Sequence, residues 1–289
     1  MMIIQWNYTI LDFKIISKGE IHMKSQKSIT CLVTGASSGI GMEIAKIHAK
    51  HGGDLILVAR RKKRLDELKE ELETKYQIKV HVKVADLTVE EEVEGLYKKL
   101  KDKNIRVDYL VNNAGFGGHG LFADRSWQDE KRMIQLNVLA LTHLTHLFLK
   151  DFIERDSGKI LNVSSTASFM PGPLQNIYFS TKAFVTSFSN ALSNELSHTN
   201  ITVTNLMPGP TATEFAKVSN TENVKIFEGK VFSAESVAQD GYRAMLKGKM
   251  NELSAITPFQ RVGLFLTKLA PKKMVMSEVR KLQEIVAKK

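Results

Sequence analysis

The sequence predicts an α/β protein: a single doubly wound domain around a parallel sheet of about seven strands, followed by a C-terminal helical extension. From Ser28 onward, short apolar runs of strand length alternate with longer segments of helical period. This alternation is typical of a parallel sheet with helices on both faces. The chain has 289 residues, of which 43% are apolar, and this is enough to build one sizeable core.

The predicted elements follow one another without repeats or a low-complexity linker. We predict strands at 28–34, 54–59, 78–84, 107–112, 158–164, 201–207 and 252–257, and helices at 39–51, 62–76, 88–102, 126–150, 177–198 and 233–247. Because strand–helix–strand crossovers are right-handed, these elements are expected to form one doubly wound domain over residues 24–257. Residues 258–289 are expected to form a basic, amphipathic helical extension that Pro271 interrupts.

Residues 1–23 are apolar but contain Asn7, Asp12 and two lysines, and they lack the basic segment and small-residue cleavage site of a signal peptide. We predict an N-terminal extension here. We also hypothesise that translation naturally begins at Met23, because residues 18–20 could be encoded by a purine-rich ribosome-binding sequence.

The single cysteine, Cys31, lies in an apolar run, which excludes an internal disulfide and a thiolate metal cluster. Cys31 is expected to fill space in a strand, and a reducing, cytoplasmic location fits. No uncharged apolar run reaches the roughly eighteen residues of a membrane-spanning helix.

The net charge of +10 comes mainly from the C-terminal end of the chain. Residues 242–289 contain eleven Lys or Arg and three Glu, a difference of +8. This distribution does not indicate a nucleic-acid-binding protein. Three interpretations of the basic, partly apolar tail are open: contact with an anionic membrane surface, packing against a second subunit, or a solvated helix face.

The first strand runs into the sequence TGASSGIG, where Gly35, Gly39 and Gly41 lead directly into a helix. Glycine permits positive φ and lets backbone N–H groups approach a pyrophosphate at the helix N-terminus. The spacing G-x-x-x-G-x-G differs from the commoner dinucleotide fingerprint. Its position after the first strand predicts a Rossmann-type dinucleotide site, with a merely structural loop as the alternative. The same turn contains Ser37, Ser38 and Ile40.

The second strand ends in LILVARRKKR. In dinucleotide-binding folds an acidic residue at this place binds the ribose hydroxyls of NAD, but here Ala59 is followed by Arg60 and Arg61. A guanidinium binds a 2′-phosphate through charge-assisted hydrogen bonds, whereas a carboxylate repels it. NADP(H) is therefore predicted over NAD(H). The solvated start of the next helix is expected to comprise Lys62, Lys63 and Arg64.

Two further strand ends indicate the same crevice. Asp86, followed by Leu87, stands at the tip of the third strand, where its carboxylate either meets an adenine amino group or caps the next helix. The fourth strand ends in NNAG, where side-chain amides can tie loop backbones together. Gly115 lets the chain pass close to a ligand, and it is preceded by Asn113 and Ala114.

Tyr178 and Lys182 are four residues apart on a predicted helix and therefore share one face. The ammonium, helped by the positive ring of an oxidised nicotinamide, is expected to lower the pKa of the phenol so that it acts as a general acid or base. Ser165, at a strand tip, is a candidate donor to a carbonyl oxygen, and Asn137 is a candidate to pass a proton through water. Each residue also has a structural alternative, as a half-buried helix residue, a cap or a helix-bending polar group.

The motifs TGASSGIG, NNAG, Y-x-x-x-K and PGPTAT occur in this order over about residues 28–215, and the chain thereby resembles the short-chain dehydrogenase/reductase superfamily. The resemblance implies that Tyr178 is the acid/base and that Lys182 is its modulator and a ligand of the nicotinamide ribose. It further implies that Ser165 orients the carbonyl and that Asn137 supports a proton relay. Implied cofactor contacts are Gly35, Ser37, Ile40, Arg60, Asp86, Asn113, Pro208 and Gly209, with Thr211 or Thr213 nearby. The stretches NNAGFG, MPGP and STKAF resemble the DltE-like subgroup.

Three segments, 116–119, 169–174 and 215–227, are expected to wall the substrate crevice. They are largely apolar, which favours a hydrophobic ketone or aldehyde over a phosphorylated sugar. The 215–227 segment lacks strong periodicity, as a mobile lid would. His119 is expected to be solvated, with a contact to substrate as the alternative. The predicted substrate contacts are Phe116, Ser165, Phe169, Met170, Leu174 and Phe215.

These features predict an NADPH-dependent oxidoreductase that transfers a hydride between nicotinamide and an apolar ketone or aldehyde, or the matching alcohol. The alternative is a non-catalytic dinucleotide-sensing protein whose tail docks on a partner or a membrane. The resemblance also implies a homo-oligomer, a dimer or tetramer assembled through helices 126–150 and 177–198. No metal site is predicted.

Overall fold

The computed structural model describes residues 28–227, 229–267 and 269–285; the predicted extension 1–23 and the start at Met23 lie outside them. The strands are β1 Thr30–Thr34, β2 Asp54–Ala59, β3 Val80–Val84, β4 Tyr109–Asn112, β5 Gly158–Val163, β6 Ile201–Pro208, β7 Thr211–Ala212, β8 Phe232–Ser233 and β9 Asn251–Ser254. Seven of them form one parallel sheet in the order β3-β2-β1-β4-β5-β6-β9. The predicted fold class is confirmed.

The helices agree with the prediction except near the middle of the chain and at Phe215–Val218, where no helix was predicted. They are α1 Gly39–Lys50, α2 Lys62–Tyr76, α3 Glu90–Asp102, α4 Trp127–Ile134, α5 Leu141–Glu154, α6 Asn176–Glu195, α7 Phe215–Val218, α8 Ala234–Leu246, α9 Pro258–Leu266 and α10 Lys272–Leu282. The predicted helix 126–150 is divided, because a π-helical stretch, Gln135–Ala140, joins α4 to α5. The pairing of β7 with β8 in a small second sheet was also not predicted.

The core lies on both faces of the seven-stranded sheet. All five residues of β1 are buried, and alternate strand residues point to opposite faces. Cys31 and Val33 of β1 pack in a cluster with residues of α1, α2 and α8, while Leu32 packs on the other face with residues of α3, α5 and α6. This burial on both sides explains why the strands are continuous apolar runs.

The chain reverses its direction across the sheet between β1 and β4. From β1 it winds outward to β3, and it then returns to the opposite side of β1. The crevice outside the carboxyl ends of the strands at such a switch point is the usual ligand site of open α/β sheets. The TGASSGIG and NNAG segments both stand at this place.

The C-terminal extension packs against the rest of the protein. Pro271 precedes α10, as expected from its position between two helices. Val275 and Val279 on one face of α10 are buried against Ala167 and Phe179. One face of α10 is therefore packed on the protein, and the opposite face is solvated.

Cys31 is fully buried in β1, as predicted for a space-filling residue, and burial raises the pKa of its thiol. Within the described part of the chain, the helices are too short or too polar for any to cross a bilayer.

Candidate active site

The glycine turn between β1 and α1 has the geometry of an anion cradle. Gly35 and Gly39 have φ values of +67° and +57°, a region that side chains with a Cβ rarely adopt. A Cβ on Gly41 would lie 2.4 Å from Asn113 Nδ2 and 2.7 Å from the Gly35 carbonyl oxygen. Glycine is therefore required for packing at Gly41 and for conformation at the other two positions. The helix begins at Gly39 and directs its free N–H groups into the crevice.

The NNAG segment is tied to the end of β1 by Thr34, a residue that was not singled out from the sequence. The Thr34 hydroxyl accepts hydrogen bonds from the backbone N–H groups of Asn113 and Ala114, each at 3.0 Å. The Asn113 side chain donates to the Thr34 carbonyl at 2.9 Å. These hydrogen bonds confirm the expectation that side-chain amides tie loop backbones together. They fix the position of the NNAG loop relative to the end of β1.

Arg60 and Arg61 both line the cavity at the place where they were expected to bind a cofactor phosphate. Arg61 donates from Nη2 to Ser37 Oγ at 2.9 Å and to Ser38 Oγ at 2.7 Å. Arg60 is more exposed and lies 3.8 Å from Asp86. Arg64 is exposed, as expected for the start of α2, and its Nη1 donates a hydrogen bond to a carboxylate oxygen of Glu214 at 2.5 Å.

Asp86 stabilises the turn that leads to Thr88 and does not cap α3. Its Oδ1 accepts hydrogen bonds from the N–H and the hydroxyl of Thr88, whereas the helix N-cap is Val89. Burial acts to raise the pKa of Asp86, but these hydrogen bonds and the charges of Arg60 and Arg132 outweigh it and lower the pKa. Asp86 therefore presents a carboxylate at the edge of the cavity.

One cavity of about 1010 Å³ joins these features to the tyrosine and the C-terminal helices. Most predicted site residues line it: Gly35, Ser37, Ser38, Gly39, Ile40, Arg60, Arg61, Asp86, Leu87, Asn113, Ala114, Gly115, Phe116, Ser165, Met170, Tyr178, Lys182, Pro208, Gly209, Thr211, Thr213 and Phe215. Four predicted site residues are not among the lining residues: Gly41, Asn137, Phe169 and Leu174.

Tyr178, Lys182 and Ser165 come together at the centre of this cavity. Ser165 ends the loop after β5, where its hydroxyl caps a short 3₁₀ turn by accepting from the Ala167 N–H at 3.1 Å. It also hydrogen-bonds the Tyr178 hydroxyl. Lys182 is buried, and its Nζ donates to the Val163 carbonyl at 2.8 Å and lies 5.9 Å from the centroid of the Tyr178 ring. Ser165 is thus both a cap and a cavity residue.

Burial in the cavity opposes the expected lowering of the tyrosine pKa. Burial raises the pKa of Tyr178 to about 12, and the hydrogen bond from Ser165 only partly opposes this. Burial also lowers the pKa of Lys182 to about 8. The sequence argument counted the attraction of the ammonium but not the loss of water around both groups.

Asn137 connects three parts of the site from behind. Its Nδ2 donates to the Phe116 carbonyl at 2.9 Å and to the Thr181 hydroxyl at 3.1 Å, and its Oδ1 accepts from the Phe116 N–H at 3.1 Å. The π-helical stretch carries this side chain, which is only 1% exposed. These contacts attach the loop after NNAG to α6, which carries the tyrosine.

The predicted apolar wall is only partly formed by the predicted residues. The Phe215 ring lies 5.2 Å from the Tyr178 ring, and Phe116 and Met170 line the cavity. Leu174 instead adopts a left-handed backbone conformation, with φ of +68°, and its carbonyl accepts from Gly120 N–H at 2.9 Å. This hydrogen bond joins the loop that contains Leu174 to the loop that contains Gly120. The Leu174 side chain does not line the cavity.

The C-terminal extension also contributes to the wall, and sequence reasoning did not place it here. Val279, Leu282 and Gln283 of the α10 region line the cavity. The Gln283 side chain is hydrogen-bonded to Gln175, and its carbonyl lies 2.6 Å from His119 Nε2. The expectation of a solvated His119 is therefore wrong. The only sequence feature that could have indicated this contact between α10 and the cavity was the periodic spacing of apolar residues in the tail.

Comparisons with known proteins agree with this architecture. A family model described as short chain dehydrogenase matches residues 30–224. A very-long-chain 3-oxoacyl-CoA reductase from Homo sapiens is 34% identical over 193 residues, 65% of this chain and 61% of that protein's length. A sulfoacetaldehyde reductase 2 from Chromohalobacter salexigens is 39% identical over 189 residues, 65% of this chain and 74% of that protein. A solved short-chain dehydrogenase from Sphingobium yanoikuyae in complex with NADPH is 32% identical, with a TM-score of 0.74, and the match covers 89% of this chain and 98% of that one.

A glycine cradle at the switch point of a doubly wound sheet defines a dinucleotide-binding α/β protein. The matched region contains that cradle as well as Ser165, Tyr178 and Lys182. The chain belongs to the short-chain dehydrogenase family of oxidoreductases. The aligned region spans less than two thirds of the human relative, and α9 and α10 lie beyond the residues that the family model matches.

Proposed function

We propose that this protein is an NADP(H)-dependent oxidoreductase that transfers a hydride between nicotinamide and an apolar ketone or aldehyde, or the matching alcohol. The observation that carries the proposal is a single cavity lined by Arg60 and Arg61, by apolar side chains, and by Tyr178, which stands next to Ser165 and Lys182. The finer resemblance to the DltE-like subgroup stays a prediction. A non-catalytic dinucleotide sensor is not favoured.

The bound cofactor supplies the hydride, or accepts it in the reverse direction. Ser165 donates a hydrogen bond that holds the substrate oxygen next to the Tyr178 hydroxyl. Tyr178 gives its proton to that oxygen during reduction and takes it back during oxidation. Lys182 binds the nicotinamide ribose and favours the ionised phenol by its charge. Asn137 positions the loop at Phe116 relative to α6, and its part in a proton relay remains a prediction.

The preference for NADP(H) rests on Arg60 and Arg61 at the end of β2, where NAD-binding folds place an acidic residue. The NADPH bound by the Sphingobium yanoikuyae relative supports the same preference. The test of the proposed function is NADPH oxidation by the purified protein with ketones and aldehydes graded in size, repeated with NADH. Turnover no higher than that of a Tyr178→Phe variant for every carbonyl would contradict the proposal.

The apolar substrate class rests on the cavity and not on the relatives, whose names indicate chemically different substrates. Leu282 of α10 lines the cavity and is 48% exposed, so a larger side chain there can project into the cavity without disturbing the core. We expect Leu282→Trp to raise the KM for bulky ketones about tenfold and to leave a small aldehyde nearly unaffected. Steady-state kinetics with both substrates measures this.

Met276→Trp is the matched control, because Met276 lies on the same helix, is 37% exposed and does not line the cavity. Equal effects of Leu282→Trp on large and small substrates would show that α10 does not bound the substrate site.

A second proposal concerns α9, whose outer face exposes Phe259, Val262 and Phe265 at 88%, 58% and 65%. Phe259 also lines the cavity, and basic residues flank this apolar face in the sequence. We propose that α9 contacts an anionic membrane surface beside the cavity mouth. The wild-type protein is expected to float with anionic liposomes, and Phe259→Ser/Phe265→Ser is expected to lose this binding.

Neutral liposomes and a Leu121→Ser/Phe122→Ser variant serve as controls, since those two residues are also exposed but lie outside the C-terminal extension. No flotation of the wild type with anionic liposomes would remove the membrane proposal and leave the enzymatic one unaffected.

We further propose a cytoplasmic location, one catalytic domain over residues 24–257, and a homo-oligomer assembled through α4, α5 and α6. Leu139 and Phe184 in this region are exposed, which supports a subunit contact there.

A further inference from the structure

Glu214 binds two arginines: Arg61, which lines the cavity, and Arg64, which does not. Its Oε2 accepts a hydrogen bond from Arg61 Nη1 at 2.6 Å, and its Oε1 accepts one from Arg64 Nη1 at 2.5 Å. The same Arg61 donates to the hydroxyls of Ser37 and Ser38 in the glycine turn. These hydrogen bonds lower the pKa of Glu214 to about 2, so the carboxylate is ionised at every working pH.

Glu214 belongs to a short stretch that contacts three parts of the site. The stretch Thr211–Val218, which contains β7 and α7, is called here the latch segment. Thr213 Cγ2 lies 3.0 Å from the position that a Cβ on Gly39 would take, so the segment stands against the glycine turn. Its Phe215 ring lies 5.2 Å from the Tyr178 ring. The segment thus links the arginines to the reactive phenol.

A carboxylate bound by two guanidiniums resembles a phosphate bound by the same groups, because both present paired anionic oxygens to planar donors. We propose that Glu214 occupies the guanidinium of Arg61, which together with Arg60 binds the 2′-phosphate of NADP(H), so that a cofactor with this phosphate displaces Glu214 and releases the latch segment. The inference rests on the proposed preference for NADP(H) and adds a residue that sets cofactor selectivity.

Two consequences follow from this competition. The cofactor must break the contact between Glu214 and Arg61 before its phosphate can bind Arg61, so Glu214 weakens the binding of phosphate-bearing nucleotides. A nucleotide without the 2′-phosphate leaves the contacts of Glu214 in place. Only NADP(H), and not NAD(H), therefore frees the segment that carries Phe215.

The first test compares 2′,5′-ADP with 5′-AMP, which differ by the 2′-phosphate, in calorimetric titrations of the full chain. We expect Glu214→Gln to bind 2′,5′-ADP about fivefold more tightly than the wild type, as expected for removal of exposed ion pairs, with 5′-AMP unchanged. Glu222→Gln is the matched control. Glu222 is exposed, lies close along the chain, and forms no ion pair within the described residues.

The second test is hydrogen exchange of the wild type at Val218 and Ser219, whose N–H groups bond to the carbonyls of Glu214 and Phe215. We expect 2′,5′-ADP, and not 5′-AMP, to speed exchange at these amides. Unchanged or weaker 2′,5′-ADP binding by Glu214→Gln, or identical exchange with both nucleotides, would overturn the inference while leaving the oxidoreductase proposal intact. Failure of the wild type to bind either nucleotide would overturn both.

Discussion

Tyr178→Phe is expected to lower kcat for NADPH-dependent ketone reduction by about 10³-fold, in the range that general acid catalysis contributes. The substitution removes one hydroxyl and its hydrogen bond with Ser165, while the ring keeps its contact with Phe215. Because the arginines and the glycine turn are untouched, NADPH binding should change little. Steady-state kinetics and NADPH titration on the same preparation measure the two quantities separately.

Tyr76→Phe is the matched control, since Tyr76 ends α2 and does not line the cavity, and it should retain wild-type activity. A Tyr178→Phe variant that retains more than about a tenth of the wild-type kcat would exclude Tyr178 as the proton donor. Loss of NADPH binding together with activity would instead indicate a structural role for the hydroxyl.

Lys182→Met is expected to lower kcat by about 10²-fold and to change the pH dependence of stability. Lys182 is buried, and burial lowers its pKa from 10.5 to about 8. Below pH 8 the folded and unfolded chains are both protonated, and folding includes the full cost of burying the charge. Between pH 8 and 10.5 the folded chain has released the proton that the unfolded chain still holds, so this cost declines as pH rises.

The free energy of unfolding of the wild type should therefore rise relative to that of Lys182→Met by about 2 kcal/mol between pH 7 and about pH 9.5. Chemical denaturation at the two pH values measures the change, and taking the difference between variants cancels the other titrating groups. Lys247→Met, which alters an exposed lysine, should show no such change. A difference independent of pH would mean that Lys182 is not buried as a charged group.

The fold was predictable because its signals are local. The continuous apolar run of β1 and the helical periods of α1 and α2 are patterns of consecutive residues. The π-helical stretch was not predictable, because it carries Asn137 to the backbone of Phe116 and the hydroxyl of Thr181, and these partners are set by tertiary structure. Local propensity contains no information about such contacts.

The site was predictable where residues share one motif and not where distant segments meet. The four-residue spacing placed Tyr178 and Lys182 on one face, but the direction of the tyrosine pKa depends on how much water the assembled cavity excludes. Arg61 and Glu214 are separated by 153 residues along the chain. His119 and Gln283, which join the cavity wall to α10, are 164 residues apart. Neither pairing leaves a periodic pattern in the sequence.

The ionisation of Tyr178 with and without NADP⁺ tests the central claim most directly. Phenolate absorbance is followed from about pH 6 to pH 10 as the difference between the wild type and Tyr178→Phe. Without cofactor we expect no phenolate from Tyr178 in this range, because burial places its pKa at about 12. With saturating NADP⁺ we expect phenolate to appear within the range, since a positive charge nearby favours the ionised form. An identical titration in both states would contradict the account.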